Sequence, residues 1–210
     1  APAAYYFPMV SKMTAVEVFK GPAAIKYGPN TVAGALNLTT RAVPTDTEGM
    51  IDVSLGTDGY TKAHGFYGDS VDNLGYLVEV ANLSADGFKD LDGGGDTGFD
   101  KNDILTKFRY DITSDNYEQV VELKLSYADE VSNETYLGLT DEDFAKTPHR
   151  RYAATQAAKM EWEHSQIQLT HFLAGRDFDV TTRVYRNDFE RAWKKLNNFA
   201  YETSSTNREL

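Results

Sequence analysis

Val16-Glu17-Val18-Phe19-Lys20-Gly21-Pro22-Ala23-Ala24-Ile25-Lys26-Tyr27-Gly28-Pro29-Asn30-Thr31-Val32-Ala33-Gly34-Ala35-Leu36-Asn37-Leu38-Thr39-Thr40-Arg41 holds two short apolar strands separated by turns rich in glycine and proline. Val16 and Val18 alternate with Glu17, the period of a half-buried strand. Gly21-Pro22 ends that strand, because glycine tolerates unusual φ and proline has no N–H to donate. Gly28-Pro29-Asn30 is a second turn signal. Gly34 lies within a strand-like run, where a missing Cβ admits close approach of another backbone. A hairpin of a soluble β domain would carry the same signals, so the flanking sequence has to decide.

Downstream, a polar link at 45–49 leads into strand after strand. Alternating patterns predict strands at 50–57, 60–68, 74–84, 102–113, 117–128, 159–174 and 178–189. Asp58-Gly59 is a tight hairpin signal. The segments are near the length that a tilted strand needs to cross a bilayer. Their connections alternate: those at 69–73, 114–116 and 175–177 are short, while those at 85–101 and 129–156 are long. Short turns at one end and long loops at the other is the habit of outer-membrane barrels. One strand poses a problem of phase, since Met160 and Trp162 fall on one face and Ile167 and Leu169 on the other. A bulge near His164-Ser165 would reconcile them; otherwise one set faces the barrel interior. Tyr76, Tyr110, Tyr127, Trp162 and Trp193 are candidates for aromatic girdles.

Val-Glu-Val-Phe-Lys-Gly-Pro, then Tyr-Gly, then Gly-Ala-Leu-Asn-Leu-Thr-Thr-Arg, in that order, resembles the C-terminal part of the plug of TonB-dependent outer-membrane receptors. The matching positions include Gly21, Pro22, Tyr27, Gly28, Gly34, Asn37 and Arg41. The resemblance implies an all-β chain: residues 1–44 as the end of a plug domain, and 45–210 as the N-terminal portion of a transmembrane antiparallel β-barrel, about seven strands of it. Such receptors close with about 22 strands, so the chain is expected to be a piece, the end of the plug and the first third of the barrel. It further implies import of a scarce nutrient, a ferric chelate such as a siderophore complex or ferric citrate. Ligand capture and plug rearrangement would do the work, energised by the TonB–ExbB–ExbD complex through a segment outside this chain. Outer-membrane lipid and lipopolysaccharide are the implied surroundings. Alternatives are a passive or structural barrel without TonB coupling, and a soluble β-rich binding module.

The bulk properties are compatible with this expectation. The chain has 210 residues, no cysteine and a net charge of −11, which argues against a nucleic-acid partner. Its first residues lack a basic start followed by an apolar core, as expected of mature or internal sequence. Mean hydropathy is −0.49, which strands alternating between lipid and interior would also produce. Residues 1–44 carry Lys12, Lys20, Lys26 and Arg41 against Glu17, a net of +3, and the remainder carries −14. A cationic plug piece within an acidic wall would favour anionic ligands locally.

Candidate sites are few. Tyr5 and Tyr6 would lie near the plug apex in the implied layout, where aromatics meet a ligand or pack as core. His149, Arg150 and Arg151 lie in the second long loop. Arginine's bidentate fork suits an anionic chelate, and equally suits lipopolysaccharide phosphate or the nearby acidic run. Thr140 is positioned to cap a helical turn at 141–144. Asp90, Asp92 and Asp96 lie in a flexible Gly-rich loop, the oxygen-rich setting calcium prefers, although EF-hand spacing is not met. Glu161 and Glu163 fall on the strand face opposite His164, against a metal site there. No nucleophile–base pair or phosphate loop is present, so no enzyme is expected and no covalent cofactor.

Overall fold

The computed structural model describes residues 8–27, 34–114 and 116–197. Two strands, β1 (Met13–Lys20) and β2 (Gly34–Thr40), pair antiparallel as a separate ribbon. Gly21, at φ +64, turns the chain out of β1 into a short 3-10 segment, Gly21–Tyr27. Gly34 admits the carbonyl of Phe19, which would stand 2.6 Å from any Cβ there. Asn37 donates to Glu17 across the ribbon at 2.6 Å. Gly28 of the quoted motif, the side chain of Tyr27, and Tyr5 and Tyr6 lie outside the described residues.

The rest is one antiparallel meander. Its strands are β3 (Glu48–Leu55), β4 (Thr61–Val71), β5 (Leu74–Ala85), β7 (Phe99–Thr113), β8 (Glu118–Ser132), β10 (Lys159–Ala174) and β11 (Asp179–Lys194). Each pairs with its neighbour in chain order, giving seven strands with β3 and β11 at the edges. The sheet is open among the described residues. Two short strands, β6 (Asp90–Leu91) and β9 (Arg150–Arg151), pair parallel between the two long loops. Asp58 and Gly59 have φ of 56° and 66°, the two positive values a type I′ hairpin demands. The short connections after β4, β7 and β10 share one end of the sheet. The 57–60 hairpin and both long loops share the other.

The sheet's two faces differ in kind. Ile104, Thr106, Phe108, Tyr110 and Ile112 of β7 share a face with Val78, Val80, Leu123, Leu125, Ile167, Leu169 and Val184, by cross-strand register. This apolar face is open: Ile51 is 86% exposed, Leu55 79% and Val184 65%. The band runs nine residues along β7, from Ile104 to Ile112, eight steps of about 3.3 Å or about 26 Å. A polar row closes it toward the long loops, Asn82–Asn102–Asp129–Glu163–Glu190. Asn82 donates to Asn102 at 2.8 Å within that row.

The opposite face is polar, and it is the covered one. His64, Glu79, Asp103 and Lys107 are all buried there. Residues 8–13 and 38–44 lie against it. Gly68 and Gly75 cut a slot for the link: a Cβ on Gly68 would meet Pro44 at 2.7 Å, and one on Gly75 would meet Val43 at 2.6 Å. Val43 so seated packs on Phe66 and Leu77, with Met50 beside them. A second cluster joins Ala128, Met160 and Trp162 to Phe189 and Trp193.

Two expectations are corrected. The phase conflict in β10 needs no bulge, because its register with β8 and β11 is unbroken from Met160 to Ala174. Met160 and Trp162 belong to the covered face, and Ile167 and Leu169 to the open one. For the same reason Trp162 and Trp193 join no outward aromatic row, whereas Tyr76, Tyr110 and Tyr127 do lie on the open face.

Candidate functional site

Charges gather where residues 8–13 and 38–44 meet the polar face. Glu79, wholly buried, accepts from His64 Nε2 at 2.8 Å, and Arg41 Nε stands 3.9 Å from the same oxygen. The Arg41 guanidinium lies 3.6 Å over the Phe66 ring, a cation–π contact that strengthens when desolvated. Lys12, from the ribbon's lead-in, pairs with Asp103 of β7, both nearly buried. Lys107 Nζ donates to the Arg41 carbonyl at 2.7 Å. Buried charge is tolerated only when paired, so this cluster fixes where the lead-in and the link sit. Arg41, singled out in the sequence for its motif, anchors the end of β2. Lys12, His64, Glu79, Asp103 and Lys107 were missed. The available signal was charge recurring on one strand phase opposite an apolar one.

A second gathering lies at the long-loop end. The β6–β9 clip is closed by Asp90 N–H to His149 O and Asp92 N–H to Arg151 O, each 2.8 Å. Arg150 bridges Asp92 at 2.9 Å and Asp143 at 3.1 Å. Arg151 is buried and donates to Thr155 and to the carbonyls of Asn133, Thr155 and Ala158. His149 is exposed and meets Phe88 edge-on, with centroids 5.8 Å apart. Among the three candidates in this loop, the two arginines are therefore engaged within the protein, and His149 alone faces outward. Helix α1 (Asp141–Lys146) does begin at Thr140, whose hydroxyl accepts from Asp143 N–H at 3.2 Å. A cavity of about 670 Å³ opens between the loops, lined by Tyr60, Phe88, Lys89, Phe99, Glu134 and Arg151. Burial pushes the Glu134 carboxyl up.

The calcium candidates do not converge. Asp92 spends its carboxylate on Arg150, and Asp96 Oδ1 accepts from Gly98 N–H at 2.8 Å. Among the described residues no three His, Cys, Asp or Glu side chains group to hold a metal. Glu161 and Glu163 lie on the face opposite His164, as the alternation required.

The loop clip makes a pH prediction. A hydrogen bond from Arg150 holds the Asp92 carboxyl below its ordinary value, and one from the Tyr152 hydroxyl, aided by the Arg150 charge, does so for Asp143. Groups with depressed folded values stabilise fully above the unfolded-state value, about 3.9 for Asp. That contribution is lost as pH falls through the lower folded value. Amide exchange at 90–92 and 150–152 is expected to accelerate below pH ~4, ahead of exchange in the sheet. Arg150→Gln should produce the same local opening at neutral pH. Sheet and clip opening together in both tests would refute it.

Comparison with protein-family models, with curated proteins and with solved structures finds no match to this chain.

Proposed function

We propose that the chain is the end of the plug and the first strands of the barrel of a TonB-dependent outer-membrane receptor, importing a ferric chelate such as a siderophore complex or ferric citrate. One observation carries the reading: the sheet exposes its apolar face and covers its charged one. A β protein in water does the reverse, because apolar area removed from water is its main driving force, about 25 cal/mol per Å². In a bilayer the same arrangement is favourable, with lipid against the apolar band and the polar face inward. The nine-residue band suits the 9–11 residues of a tilted spanning strand, and the short turns and long loops segregate to opposite ends. No helix among the described residues is long and apolar enough to cross a membrane, which leaves strands free to do so.

In this reading residues 8–27 and 34–44 fill the interior, the long-loop end with its cavity and outward His149 faces outside, and ligand capture occurs there. Tyr5 and Tyr6 stay candidates for the apex, while Arg150 and Arg151 shape the loops. Transport is conformational: the TonB–ExbB–ExbD complex draws on the plug through a segment outside this chain, and the ionic contacts of Lys12 and Arg41 with the wall must yield or move with it. A passive barrel is the second reading, since the reversed polarity alone requires only a membrane.

The test is uptake of radiolabelled ferric citrate and a panel of ferric siderophores by a Gram-negative host carrying or lacking the full-length gene, with and without functional TonB. Protein in the outer-membrane fraction and uptake lost without TonB are expected. Uptake indifferent to TonB would leave a passive barrel, and protein in the aqueous fraction would end both readings.

A further inference from the structure

Two lysines oppose each other on the covered face. Lys107 of β7 and Lys124 of β8 are direct cross-strand partners, a position in which like charges repel. Lys107 is accounted for by the Arg41 carbonyl at 2.7 Å and Glu122 at 4.0 Å. Lys12, across the gap, is taken by Asp103. Lys124 makes no hydrogen bond and no ion pair within 4.0 Å among the described residues, and Glu122 and Asp103 act on it only from farther off. It lines a cavity of about 420 Å³ between the β1–β2 ribbon and the sheet, within the size range of small-molecule sites.

The other walls have a definite chemistry. Gln166 and Asn187 are cross-strand partners whose amides enter the same cavity beside Lys124. Beyond them Trp162 and Phe189 stack, with centroids 6.0 Å apart and planes at 28°. Leu38 of the ribbon also lines it, as do His164 and the Lys12–Asp103 pair. An ammonium and two amide donors match a carboxylate, whose oxygens accept several charge-assisted bonds. The stacked rings match a flat apolar group.

We infer that this cavity is a binding site for a small organic carboxylate bearing a flat apolar or aromatic group. The carboxylate lies on Lys124 and the Gln166 and Asn187 amides, and the flat group against Trp162 and Phe189. The bound anion gives Lys124 the direct partner that Glu122 and Asp103, farther off, do not. The inference rests on the covered polar face and not on import, and it holds or fails separately from the uptake experiment.

Calorimetric titration of the detergent-solubilised full-length protein tests it, with benzoate as probe and benzyl alcohol as its uncharged counterpart. Benzoate is expected to saturate one site, with benzyl alcohol at least ~10-fold weaker, a difference of about 1.4 kcal/mol. Lys124→Met should weaken benzoate at least ~10-fold while leaving benzyl alcohol unchanged, and Lys124→Arg should retain benzoate binding. Should Lys124→Met fail to fold, Asn187→Ala provides the same comparison with a smaller loss. No saturable benzoate binding, equal affinity for the alcohol, or wild-type affinity in the folded variants would each overturn the assignment.

Discussion

Glu79→Ala is expected to destabilise the folded chain by about 3–5 kcal/mol, the cost of removing one partner from a buried charged cluster. Glu79 is fully buried, His64 donates to it at 2.8 Å, and Arg41 stands 3.9 Å away. Truncation leaves the buried His64 imidazole and Arg41 Nε facing a void. Arg41 retains Phe66 beneath it, but a ring quadrupole returns only ~2 kcal/mol even when desolvated. Glu79→Gln keeps an acceptor for His64 and loses only the charge, so its cost should be smaller. The measurement is the denaturant midpoint of the full-length protein in detergent, read by strand content. A double-mutant cycle with His64→Ala should give a coupling of about 1–3 kcal/mol. A loss under ~1 kcal/mol, the ordinary size for a point substitution, would mean that the cluster is solvated and does not seat the link.

Leu125→Arg on the open face is expected to cost about 2–4 kcal/mol when folding is measured into lipid vesicles. Leu125 lies mid-band between Thr106 and Ile167. In water a substitution at a residue 37% exposed should change stability by about 0.5 kcal/mol or less. The sign of the environment is therefore what the experiment reads. Thr170→Arg is the control: Thr170 lies on the other face, opposite Glu122, where a cation finds a partner and little loss is expected. Equal tolerance of the two arginines would show that the open face does not meet hydrocarbon, and would remove the main support for the membrane reading.

Much of the architecture was legible before any coordinates. Strand 159–174 matches β10 to its ends, because a long loop before it and Gly175 after it bound the run although its alternation changes phase. Strands 102–113 and 117–128 were drawn short, since β7 begins at Phe99 and β8 continues to Ser132. Most of their extra residues are polar, Asp100, Lys101, Asp129, Glu130 and Ser132, and lie above the apolar band, where alternation no longer registers. Of the two ways to reconcile the phases of β10, a bulge near His164 or two sets on opposite faces, the unbroken register leaves the second. On β10 the covered face takes Met160 and Trp162, packed on Ala128 and Phe189, and alternation alone does not say which set is covered. The sequence already offers Arg150 and Arg151 the nearby acidic run as an alternative to a ligand, and Asp143 of that run does pair with Arg150; sequence distance hides Asp92, 58 residues away, and the carbonyls that surround Arg151.

The sequence by itself determined the strand number, the two alternating faces and the segregation of short from long connections. These follow from a period of two and from local turn chemistry, which each segment carries alone. Only the tertiary structure decided which face is covered, and hence that Lys12 meets Asp103, that Arg41 meets Glu79, and that Lys124 is left facing a cavity. Alternation tells which residues share a side; it does not tell what lies over that side. That depends on a ribbon and a link folding back across strands up to 91 residues away, held there by charges that pair only in three dimensions.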